Sequence, residues 1–160
     1  MGGDLVSTIR FSDAITALLA AYSAAAPLAG VTIADGPEPS ALAAADFIIV
    51  GHDGTLGDDG ALADITEAGS STQEWMAFPS QRDETGAVSC VACSQTGDSN
   101  DLPGRRARAQ ALVAACEDAA IAITGPIVFD GTVEVHFLSR QTPQGAAVIA
   151  AFTVGYAAPF

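Results

Sequence analysis

Lysine is absent from this chain, and its positive charge rests entirely on six arginines: Arg10, Arg82, Arg105, Arg106, Arg108 and Arg140. Against 19 acidic residues they leave a formal charge of −13, which excludes ordinary nucleic-acid binding through phosphate contacts. Histidine is nearly missing too: His52 and His136 are the only two, so few groups could act as a general base. No apolar run approaches the roughly 18 residues of a membrane span, because Gly, Asp or Ser interrupts each one. The opening MGGDLVSTIRF lacks the charged-then-apolar order of a signal peptide, which predicts a protein that is intracellular when made. Nucleotide, serine-hydrolase and zinc-protease motifs (P-loop, G-x-G-x-x-G after a strand, G-x-S-x-G, H-E-x-x-H) are all lacking.

Cysteine is sparse, but Cys90 and Cys93 stand as C-x-x-C. On a strand, residues three apart face opposite sides of the sheet, so the two sulfurs diverge. A redox pair opens a helix that lowers the thiol pKa, whereas SQTGDSN, a loop signature, follows here. Zinc would need Cys116, His52 or His136, none at ligand spacing. The cysteines therefore read as buried and reduced, and no metal or cofactor is implied.

At 160 residues the chain is long enough for one domain with one core. Ile15, Leu18, Leu19 and Tyr22 mark a first helix, with Ser12 as its expected cap and Pro27 and Gly30 closing it. Val31 to Ala34 and Phe47 to Gly51 read as strands. The stretch from His52 to Ser70 is Gly- and Asp-rich and reads as a mobile acidic loop that orders on contact with a partner. Asp53, Asp58 and Asp59 within it lack the order of a calcium loop. A second helix from Leu102 to Ala122 buries Ala109, Leu112, Val113, Cys116, Ala120 and Ile123. Strands from Thr132 to Ser139 and Ala146 to Tyr156 then form a hairpin around a turn from Arg140 to Gly145. The expected order is α-β-β-β-β-α-β-β: an α+β domain, its two helices on one face of a largely antiparallel sheet.

The densest chemistry lies between Ser71 and Asp98. Thr72, Glu74 and Met76 alternate with Gln73, Trp75 and Ala77, and Val88 to Gln95 repeats the pattern beyond an Arg82-Asp83-Glu84 turn. Neither face is cleanly polar, so both are expected to be covered, one of them by a neighbouring subunit. Arg105, Arg106 and Arg108 crowd the positive end of the second helix, at a cost of a few tenths of a kcal/mol each. Two readings stay open: Asp98 and Asp101 offset them locally, or the cluster meets acidic groups of another chain.

Gln73-Glu74-Trp75, Arg82-Asp83-Glu84, the strand with Cys90, the Gly97-Asp98 turn and the Arg- and Ala-rich helix ending in Cys116-Glu117-Asp118 resemble tail terminator proteins of long-tailed actinobacteriophages. The resemblance runs from the first helix to the last strand; the long acidic loop after His52 departs from it. It implies a structural virion protein, made in the host cytoplasm and not an enzyme. Such a protein forms a ring, a hexamer, at the head-proximal end of the tail tube, where it terminates tube polymerisation and joins tail to head. Its partners would be copies of itself, the major tail tube protein and the head connector or stopper protein, with genomic DNA passing through unbound. Gln73, Glu74, Trp75, Arg82, Asp83, Glu84, Arg105, Arg106 and Arg108 are the expected contact residues. The competing readings are a head completion or stopper protein of the neck and a small thiol- or carboxylate-dependent enzyme.

Overall fold

The structure is a computed structural model and describes residues 9–38, 42–75, 82–132 and 134–159. Met76, Ala77, Val133 and the side chain of Arg82 lie outside the described parts.

Two strands of 15 residues each, β4 (Arg82–Thr96) and β7 (Gly145–Pro159), form the axis of the molecule. They pair antiparallel without interruption from Asp83↔Pro159 to Thr96↔Ala146. Along the far side of β4 two strands lie end to end: β3 (Gly69–Trp75) against its first half and β2 (Asp46–Val50) against its second. Ser89 is the seam, its N–H donating to Ala68 O while its carbonyl accepts from Gly51 and His52. β1 (Thr32–Asp35) adds to β2 in parallel. On the far side of β7 lie β5 (Val128–Phe129) and β6 (Val135–Thr142), both antiparallel to it. The class is α+β as expected, with β5 as an extra short strand in the order.

Both helices pack on one face. α1 (Phe11–Ala24) buries Ala14, Leu18 and Tyr22, with Ile15 and Leu19 partly covered. Ser12 does not cap it: Arg10 stands at the cap position, and the Ser12 carbonyl accepts the Thr16 hydroxyl. The helix start is set by a distant contact, because the Arg10 N–H donates to Glu84 at 2.8 Å. α2 (Leu102–Ile121) buries Ala109, Leu112, Val113, Cys116 and Ala120, with Pro103 in its first turn where no N–H is missed. Its stripe meets Val148, Ala150, Phe152, Val154, Tyr156 and Ala158, alternate residues of β7 on a single face.

The opposite face is covered over half its length by the chain itself. Leu42, Ala44 and Leu62 pack on Phe47, Ile49, Val91, Cys93 and Ile149. Cys90 thus faces the helices and Cys93 the other layer, as strand parity requires. The segment after His52 that supplies Leu62 carries its own framework. His52 is buried; its Nδ1 accepts the Gly54 N–H and its Nε2 donates to Ala63 O, both at 2.9 Å. Asp53 accepts from the Thr55 amide and hydroxyl, the Thr66 hydroxyl and the Glu67 amide.

The hairpin of β6 and β7 turns on Pro143 and Gln144 alone, so Arg140 lies on the strand and not in the turn. Likewise Arg82-Asp83-Glu84 is not a turn but the start of β4. The reason is long-range: β7 continues to Pro159 and provides pairing partners for β4 back to Asp83.

Candidate assembly surface

At one end of the sheet, β3 and β4 set Gln73 opposite Glu84, Glu74 opposite Asp83 and Trp75 opposite Arg82. Parity then separates these residues. Glu84 shares its face with Gly86, Val88 and Cys90, which points it under α1, and it has no solvent-exposed surface. It is therefore not the edge contact expected from the sequence. Burial opposes its ionisation, but hydrogen bonds from the Tyr156 hydroxyl and the Arg10 amide, helped by Ser71 and Gln73, prevail and lower its pKa. Gly86 makes this possible, because a Cβ there would collide with the Tyr156 ring and Ser70 O.

Glu74 and Asp83 point the other way, to the face opposite α1 and α2. Glu74 is exposed and Asp83 half-exposed, and among the described residues neither meets a cation. Like charges directly opposed across strands repel, at a cost of a few tenths of a kcal/mol. Trp75 is 66% exposed at the same end. By parity the ring stands on the face of Gln73 and Glu84, so the acidic pair alone, with no cation beside it among the described residues, is what suits contact with a basic surface.

The arginine cluster lies at the other end. Arg108 Nε donates to Asp46 Oδ2 at 3.0 Å, and Arg105 donates to Ser94 Oγ at 2.7 Å and to Asp101 at 3.3 Å. Ser94 in turn donates to Asp46 Oδ1 at 2.6 Å. Asp46, on β2, is the hub, and no local pattern in the sequence marks it. Two of the three arginines thus find partners within the chain: Arg105 in part at the helix start, where Asp101 contributes as expected, and Arg108 on β2, 62 residues away. Asp98 turns instead to the Asn100 amide. Arg106 stays exposed in the same helical turn.

Elsewhere the catalytic groups are unpromising. Burial pushes the thiols of Cys90 and Cys93 up to about 12, and raises Cys116 as well. Thiols held protonated in this way are poor nucleophiles. His136 lies 3.1 Å from Glu134 with both side chains well exposed. They border a hollow of about 100 Å³ with Asp53, Ser89 and Thr153. The Asp53 carboxyl is held well below the usual range, chiefly by the Thr55 hydroxyl, and its oxygens are already engaged. Among the described residues no group of three or more metal-ligating side chains occurs, and no helix is long and apolar enough to cross a membrane. No family model matches this chain, and no curated protein matches it in sequence.

Proposed function

We propose that this protein is a structural virion component that forms a ring at the head-proximal end of a phage tail tube. In this reading it ends tube polymerisation and joins the tail to the head connector. One observation carries the reading: the Glu74–Asp83 pair, which meets no cation among the described residues, and the exposed Arg106 sit at opposite ends of the long sheet. The stretch of β4 from Asp83 to Ser94, the residue that binds Arg105, is roughly 35 Å at ~3.3 Å per residue. Two different and complementary surfaces on one protomer support head-to-tail contact, which closes into a ring when the rotation allows. The resemblance described above supplies the ring's place and its hexameric order. The acidic balance of −13 suits a channel through which DNA passes without sticking.

The test is native mass spectrometry and negative-stain microscopy of the chain, alone and mixed with tail tubes. Rings that cap tube ends are expected. A monomer with no affinity for tubes would sink the proposal, and rings that bind only head connectors would favour a stopper protein.

A further inference from the structure

We propose that strand β6 joins two copies of this chain edge to edge, with Phe137 of each lying opposite its counterpart across a two-fold axis. β6 pairs with β7 in unbroken register from Val135↔Phe152 to Thr142↔Gly145, and no described strand pairs with its other side. Val135 to Thr142 contains no proline and no bulge, two of the devices that blunt an edge, and Arg140 is its one arginine. Phe137 is 46% exposed and its neighbour Leu138 40%, one on each face of the strand. A single exposed apolar residue needs no explanation, but large ones on both faces of an unpaired edge are what an added strand covers.

The occupant follows from register and charge. The two-residue turn makes Thr142 and Gly145 a hydrogen-bonded pair, so alternation turns the N–H groups of Val135, Phe137, Ser139 and Gln141 outward. A two-fold antiparallel contact must set outward residues against outward residues, which allows registers only in steps of two. Placing Phe137 against Phe137 brings Val135 opposite Ser139 and Glu134 opposite Arg140, twice by symmetry. Glu134 and Arg140 are exposed on the same face, and Arg140 makes no ion pair among the described residues. One step away in either direction, Arg140 would oppose His136 or Thr132 and the charge match is lost. In a chain of net charge −13, which repels its own copies, an opposite-charge pair at each end of the contact selects this register.

The contact stands apart from the proposed ring. If both form, two rings meet through β6; if only this one forms, the product is a dimer. Hydrogen exchange of the wild-type protein, with its mass read in parallel, is the test. Slow exchange at the Phe137 and Ser139 amides is expected, rising by more than about tenfold in Phe137→Lys together with loss of two-fold stoichiometry. Arg140→Glu should do the same, and the charge swap Glu134→Arg with Arg140→Glu should restore protection and mass. A folded wild-type monomer or ring whose β6 amides exchange like an exposed edge would overturn the proposal. So would unchanged protection in Phe137→Lys. Rings with unprotected β6 edges would leave the ring reading standing, and protected dimers without rings would leave only this one.

Discussion

The hydroxyl of Tyr156 donates to the carboxylate of Glu84 at 2.6 Å, across 72 residues of sequence. The bond joins the two central strands to the entry of α1, because the same carboxylate accepts the Arg10 amide. Burial first, and then this bond, push the Tyr156 phenol up to about 12, so it remains a donor across the ordinary pH range.

Glu84 should make the fold acid-sensitive. Its pKa is lowered in the folded protein, so the stability it contributes is fully present above its unfolded value near ~4.3 and is lost as pH falls through the folded value. Thermal melts from neutral pH downward should show wild type losing stability below about pH 4, with a flatter acid limb in Glu84→Gln. Tyr156→Phe leaves a shielded carboxylate short of a donor and should cost about 1–3 kcal/mol in urea denaturation at neutral pH. Equal acid slopes for wild type and Glu84→Gln would refute the assignment.

Asp46 should couple to the arginines of α2. It is partly exposed, so the Asp46–Arg108 pair is discounted for solvent, and a double-mutant cycle with alanine should give about 0.5–1 kcal/mol, shrinking as salt is added. A coupling near zero at low ionic strength would show that the two side chains act independently.

The thiols should be silent in the native protein. Cys90 and Cys116 have no exposed surface and Cys93 has 2%. A chromogenic disulfide reagent should therefore modify none of them until denaturant unfolds the chain, at which point all three react. Rapid native labelling of any one would remove the basis for reading them as core residues.

What could be read ahead of the structure was local in origin. The stripes of α1 and α2, the opposed faces of Cys90 and Cys93, and the alternation of β7 all follow from side-chain period within one element. What escaped was set by distant pairing. β7 determines how far back β4 runs, and Asp46 reaches Arg108 over 62 residues. Counting parity back from Cys90 through Val88 and Gly86 would have placed Glu84 on the helix face. Its donors Tyr156 and Arg10 were invisible to any local pattern. The Arg cluster shows the same limit: its spacing marked an unusual helix start, yet which arginine was satisfied at home depended on where β2 passed.

That distinction determines how the proposed head-to-tail contact should be tested. Reversing Arg105 or Arg108 would strip Asp46 and Ser94 of their partners, so a lost ring could simply be a weakened fold. Arg106 is exposed in the same turn, so Arg106→Glu should leave the melting temperature within the range of an ordinary surface change, about ±0.5 kcal/mol. Ring mass at physiological salt should nevertheless fall in favour of smaller species. Glu74→Lys should do the same from the other side, since Glu74 opposes Asp83 with no cation beside them among the described residues. The decisive variant carries both changes, because it restores opposite charges with their positions exchanged. Rings recovered in the double variant would locate the contact between these two ends. Rings lost in both singles and still absent in the double would mean that each residue meets some other surface.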